Sequence, residues 1–322
     1  MILGNVDLIQ RSAVIGWAMN LKHKNAALEI SIRVNGETVA VGKTGYSRPD
    51  ILRLYGGPDT GFKIPIPAAV LMANQSVKVE AFIGESKVPG SILLPPRTFF
   101  MHIPKTGGST LREMLEPLFD EYSIFPDAYQ MRRHGGKYPP LVAGYIHQDE
   151  LSYLRLVRGH FGWSEIRLFE DRPQIVTVLR DPVQRMVSHL KHFFRRKSGT
   201  MDGALFQQFL KENAGRLINQ FSNLQCRMIG ETDSGDWSRT NKPNLKVALN
   251  RLDEIDHLFT TKDLDTISDY FARAWGIPLS QAPRRNSSHD QFAVPEAMLA
   301  EIQSQNEADL ELYNAAALRS SH

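Results

Sequence analysis

Two kinds of hydrophobic periodicity divide the chain. Up to about residue 95, apolar and polar positions alternate. Leu28-Glu29-Ile30-Ser31-Ile32-Arg33-Val34 and Ser76-Val77-Lys78-Val79-Glu80-Ala81-Phe82-Ile83 both have period two, the pattern of half-buried strands. Asn35-Gly36 falls between β-type runs at 28–34 and 38–41, where the left-handed backbone of a tight hairpin turn favours Asn and Gly. Further turns are expected at Gly56-Gly57-Pro58 and between Pro65 and Pro67. Residues 1–95 therefore read as a small all-β, sandwich-like domain. The Pro- and Gly-rich stretch from Val88 to Arg97 reads as a linker to a second domain, residues 97–322.

After the linker the period changes. Thr98-Phe99-Phe100-Met101-His102-Ile103 is a short apolar run, as expected of a buried strand, and Leu111, Met114, Leu115 and Leu118 lie on one face of a following helix. Residues 120–140 lack periodicity and read as a long loop, with a basic cluster at Arg132, Arg133, His134 and Lys137 that either contacts an anionic acceptor or is simply solvated. Leu154–Arg158 reads as a short strand ending in Gly159-His160. Gln174-Ile175-Val176-Thr177-Val178-Leu179 is the unbroken run of a strand buried on both faces. Asp181 then offers an N-cap and Pro182 the favoured first helical residue, with Val183, Met186, Val187, Leu190 and Phe194 inward. A polar stretch at 230–243 reads as a surface loop, and Leu258–Thr261 as another strand. Asp263 is expected to cap a helix burying Leu264, Ile267, Phe271 and Trp275 and ending at Gly276. Two strand–turn–helix units in one chain imply an open α/β sheet, whose ligands sit at the carboxyl ends of the strands.

Both turns carry anion chemistry. Lys105-Thr106-Gly107-Gly108-Ser109-Thr110 opens a helix whose first amides have no partners within it; glycine lets a ligand approach the backbone, and lysine and the hydroxyls add donors. It is not a Walker A loop, because the lysine precedes both glycines. Following His102-Ile103-Pro104, it resembles the 5′-phosphosulfate loop of sulfotransferases that use 3′-phosphoadenosine 5′-phosphosulfate (PAPS), most closely the carbohydrate branch that includes heparan sulfate 2-O-sulfotransferases. Leu179-Arg180-Asp181-Pro182, with Arg185 and Ser188 at fixed spacing, resembles the 3′-phosphate motif of the same enzymes. Either turn alone also reads as a structural turn, less favoured than an anion site. Both together, in order and with Gly159-His160 between them, do not.

The resemblance implies a sulfotransferase fold over residues 98–322: a P-loop-like parallel sheet flanked by helices. It implies an enzyme that moves the sulfuryl group of PAPS, bound as co-substrate, to a hydroxyl of a glycan or glycoconjugate by in-line displacement. Lys105, Thr106, Gly107, Gly108, Ser109 and Thr110 would then hold the phosphosulfate, and Arg180 and Ser188 the 3′-phosphate. Lys105 would also stabilise the developing charge and His160 would act as base, with Glu165 in reserve. Asn219 to Arg227 resembles a family Asn-x-Gln-Thr-Arg segment, with Cys226 where Thr is usual, and Arg284 or Arg285 lies where the family carries a loop near the nucleotide. In the first domain, Gly16-Trp17-Ala18, Arg48-Pro49-Asp50 and Gly61-Phe62 resemble small β-domains attached to bacterial glycan-processing enzymes. Its Trp17, Tyr46 and Tyr55 either stack a sugar or pack the sandwich core, the latter favoured.

Composition narrows the alternatives. The 38 Lys and Arg exceed the 35 Asp and Glu by only three charges, so nothing marks a nucleic-acid binder. One cysteine, Cys226, excludes an intrachain disulfide and fits a reducing compartment. No apolar run reaches transmembrane length and no metal-ligand spacing occurs, so a cytoplasmic, bacterial, metal-independent enzyme is expected. A nucleotide-dependent kinase and a catalytically inactive glycan-binding protein are the competing readings. Neither the acceptor nor the oligomeric state is encoded in these motifs.

Overall fold

The computed structural model describes residues 1–139, 146, 148–199, 202–233, 235–280 and 292–319. Strands β1 (Ile2–Gln10), β2 (Ala13–Asn20), β3 (Glu29–Val34), β4 (Glu37–Lys43), β5 (Gly61–Pro65), β6 (Val77–Ile83), β7 (Ser86–Lys87) and β8 (Ile92–Leu94) form two antiparallel sheets. One has the order β1-β2-β5; the other runs β4-β3-β6-β7, with β8 also on β6. Val14, Ile30, Ile32, Phe62, Val79 and Ala81 are buried together as their core. The β3–β4 hairpin turns at Asn35 and Gly36, both at positive φ (50° and 93°), as the Asn-Gly pair requires.

The aromatic trio is not core. Tyr46 is 56% and Tyr55 40% exposed, and part-buried Trp17 stacks on Tyr55 with ring centroids 5.9 Å apart. Strand alternation explains this: Gly16 and Ala18 of β2 are buried, so Trp17 points the other way.

The expected linker is structured. Ile92–Leu94 pairs with β6, and Pro95, Pro96 and Arg97 are buried as the chain runs directly into the next sheet. Arg155 sits in the seam, donating to the carbonyls of Val70, Leu71 and Pro95. Ser76 Oγ donates to the Trp275 carbonyl at 2.8 Å and Gln174 Nε2 to that of Asn74 at 2.7 Å. Side chains of each half thus meet backbone carbonyls of the other, and the linker carbonyl of Pro95 is met by Arg155.

That half is built on β9 (Thr98–Met101), β10 (Ile124–Phe125), β11 (Leu156–Gly159), β12 (Gln174–Leu179) and β13 (His257–Thr260). Every neighbouring pair is parallel, in the order β10-β11-β9-β12-β13. Helices cover the sheet: Phe100 and Val178 pack with Leu111, Met114 and Phe271, whereas Phe99 and Leu179 pack with Met228, Ile229 and Leu312. The fold is thus an α/β parallel sheet flanked by helices, preceded by antiparallel β sheets. β9 lies between β11 and β12, so the chain leaving all three emerges at one edge.

Two local expectations change. Residues 120–140 are not one loop: Ile124–Phe125 adds an edge strand, and Asp127 and Gln130 form a reciprocal capping box that starts the helix Ala128–Arg133. Asp263 caps no helix. Its carboxylate accepts from the Thr260 amide and hydroxyl at 2.6 and 2.9 Å, and the helix begins only at Ile267. Among the described residues no helix is long and apolar enough to cross a membrane. Arg284 and Arg285 lie outside the described residues.

Candidate active site

The first turn leaves β9 at His102. Lys105 adopts positive φ (70°) and Gly107 follows at 86°, the second inside the region where glycine is strain-free. Gly107 opens the helix Gly108–Leu115 and no side chain caps it; the Thr110 amide donates to the Gly107 carbonyl at 3.0 Å, and the amides of Gly108 and Ser109 are left without a side-chain partner. The Thr106 hydroxyl is fully buried and donates to the Ile103 carbonyl at 2.9 Å, tying the turn together. Gly108 serves packing, since a Cβ there would lie 2.2 Å from the His102 ring.

The second turn leaves β12 at Arg180 and enters the helix Pro182–Ser198. Asp181 caps this helix by accepting from the Gln184 amide at 2.9 Å. Among the described residues the Arg180 guanidinium makes one long contact, 3.5 Å to the Lys105 carbonyl, and its buried Nε has no hydrogen-bond partner. A buried guanidinium N–H in that state is an unmet demand for an anionic oxygen.

Both turns open into one cavity of about 580 Å³. Of the residues expected from sequence, Lys105, Gly107, Ser109, His160, Arg180 and Ser188 line it. Thr106 of the turn and Gly108 and Thr110 of the helix after it do not belong to the lining, and Glu165 is buried away from it on the turn Trp163–Leu168. Burial, reinforced by the charges of Arg195 and Arg180, pushes the Lys105 ammonium below its ordinary value. Cations gathered against their mutual repulsion mark an anion site, because a bound anion relieves the cost.

The histidines divide by their hydrogen bonds. His160 Nδ1 lies 2.6 Å from the His102 carbonyl. A carbonyl has no proton to give, so Nδ1 carries the hydrogen and Nε2 keeps the lone pair. Burial lowers the His160 pKa, opposed by that hydrogen bond, and the ring is neutral near pH 7. His102 is itself buried, stacked on Phe100 at 5.4 Å and 3.1 Å from the Tyr138 hydroxyl, and burial holds it well below the ordinary histidine value. His189, packed on Phe221 with centroids 4.3 Å apart, is pushed down to about 3 by burial and then by Arg185 and Lys105.

Residues 95–247 match the model of the sulfotransferase domain. The matched segment carries both turns, His160 and the helix that bears Ser188; β13 and the terminal helix lie beyond it. A solved structure, a sulfotransferase from Alicyclobacillus acidocaldarius, is similar at 16% identity over 68% of this chain and 94% of its own, with a TM-score of 0.33, too low to bear on the fold. Comparison with curated proteins gives no match.

Sequence reasoning missed part of this cavity. His189, His192, Phe193 and Arg196 line it together with Ser188. Their spacing along one helix was a readable signal, since residues three or four apart share a face. Phe221 and Trp237 come from other segments. Trp237 lies within the stretch expected as a surface loop, on a short helix Asp236–Arg239, and nothing in the local pattern points it inward.

Proposed function

We propose that this protein transfers the sulfuryl group of PAPS to a hydroxyl of a carbohydrate or glycoconjugate acceptor by in-line displacement. The observation that carries the reading is the convergence of Lys105, an uncapped helix start, Arg180, Ser188 and a neutral His160 on one cavity. PAPS supplies an activated sulfuryl group on a phosphate leaving group. The first turn holds that end: the amides at the start of the helix Gly108–Leu115, the Ser109 hydroxyl and Lys105 meet the charge that builds up there. Arg180 and Ser188 hold the 3′-phosphate. His160 Nε2 accepts the proton of the acceptor hydroxyl, with Nδ1–H tethered to the His102 carbonyl to fix the ring. These residues bind, orient and move a proton; none forms a bond to sulfur.

The division into an accessory β-domain at 1–95 and a catalytic domain at 97–322, and the likeness to the heparan sulfate 2-O-sulfotransferase branch, are part of the same reading. Its test is nucleotide choice. Adenosine 3′,5′-bisphosphate at a hundredfold excess over Kd is expected to stabilise the fold by about 2.7 kcal/mol, seen as a raised Tm. AMP and ATP at equal concentration give much smaller shifts. A larger shift with ATP would favour a kinase instead, and no shift with any nucleotide would leave only a binding protein.

A further inference from the structure

Arg180 is held by a residue that does not line the cavity. It follows the last residue of β12, where sheet pairing has ended: the Thr261 amide donates to the Leu179 carbonyl, one residue earlier. The two backbone groups of Arg180 are met instead by Gln225, a side chain with no solvent exposure. Gln225 Oε1 accepts from the Arg180 amide at 2.9 Å, and Nε2 donates to the Arg180 carbonyl at 2.9 Å. A primary amide both donates and accepts, which lets one side chain replace a neighbouring strand.

Gln225 is fixed in turn by the terminal helix Glu307–Arg319. The Asp309 carboxylate accepts from the amides of Gln225 and Cys226 at 3.2 and 2.7 Å, capping the start of the helix Leu224–Ile229. It also takes the second hydrogen of Gln225 Nε2 at 3.4 Å and faces Arg185 at 3.8 Å, both charges fully buried. Asn223, at φ 49°, accepts from the Asp309 amide at 3.0 Å and closes the junction. Asp309 lies outside the segment that matches the sulfotransferase domain.

We infer that Gln225, seated by Asp309, is a positioning residue for nucleotide recognition: it aims the Arg180 guanidinium by fixing the backbone that carries it. Among the described residues the guanidinium has little else to aim it, given one 3.5 Å contact and an unpartnered Nε. The inference rests on the reading of Arg180 as the 3′-phosphate ligand.

The test is the ratio of Kd for AMP to Kd for adenosine 3′,5′-bisphosphate, measured by calorimetry on the full chain, with the melting curve of the free protein as a check of folding. Gln225→Met keeps the volume and removes both hydrogen bonds. It is expected to shrink the ratio about tenfold while leaving AMP affinity unchanged, the scale of two lost neutral hydrogen bonds. Gln225→Glu keeps the acceptor for the Arg180 amide and is expected to fall between Met and wild type. Looser packing alone would lower the melting point without moving the ratio. A folded Gln225→Met with the wild-type ratio overturns the inference; where that variant does not fold, a Gln225→Glu protein with the wild-type ratio does so. Wild-type protein that binds AMP as well as the bisphosphate would instead remove the 3′-phosphate reading, and this inference with it.

Discussion

The two strand–turn–helix units look alike in outline and differ in who satisfies the helix start. After β9, Gly107 takes the left-handed conformation and no side chain caps the helix, so the amides of Gly108 and Ser109 have no side-chain partner. After β12, Asp181 accepts from Gln184 and Pro182 occupies the first turn, where it brings no N–H. The second helix start is therefore closed to an anion, and its turn offers side chains instead: Arg180 before the cap and Ser188 nearly two turns beyond. An uncapped helix start holds an anion by its amides and dipole; a capped one leaves that work to a guanidinium. On the proposed reading, the first turn meets charge that grows during reaction and the second a fixed phosphate that identifies the nucleotide.

Four substitutions test that division, in falling order of effect. Lys105→Ala is expected to lower turnover about a thousandfold, as when a stabiliser of transition-state charge is removed. Bisphosphate affinity, measured in parallel, changes far less because the amides and Arg180 remain. Near-normal turnover would strip the first turn of its chemical role. His160→Ala is expected to cost about a hundredfold in turnover with the fold and bisphosphate binding intact. The pH profile adds a sign. Burial disfavours the imidazolium, so the rate of the wild-type enzyme rises with pH below the ordinary histidine value of 6.5 and has levelled off by neutrality. That rising limb is absent in the variant; an unchanged limb would assign the base elsewhere.

Arg180→Ala is expected to weaken the bisphosphate by about ten- to a hundredfold, the scale of lost charge-assisted hydrogen bonds, with AMP unaffected. Equal losses for both ligands would mean that the second turn does not read the 3′-phosphate. Asp181→Ala gives the smallest effect: about 1 kcal/mol of stability in chemical denaturation, the usual worth of an N-cap, with little change in bisphosphate affinity. A large loss of affinity would show that the capped helix start takes part in binding after all.

Much of this architecture is local and therefore legible from sequence. The Asn35-Gly36 turn, the run Gln174–Leu179, the Asp181 cap and the Gly276 stop each depend on a few neighbouring residues and their backbone preferences. The capping box at Asp127 and Gln130 was equally local, masked by the lack of periodicity around it. Asp263 misled because an acidic residue ahead of an apolar face can also bond backward, here to Thr260.

By itself, the sequence determined which side chains stand at the two turns and in what order, because strand, turn and helix signals are encoded within a few residues. Only the tertiary structure decided that β11, β9 and β12 lie side by side, which brings His160, Lys105 and Arg180 to one edge. It alone turned Thr106 inward and brought Trp237 to the cavity. It also set Gln225 against Arg180, and Asp309, 84 residues further along, behind Gln225. The physical reason is the same in each case. A backbone amide, a buried carboxylate or an aromatic face takes its partner from whatever the packed chain brings near, and no local spacing specifies that partner.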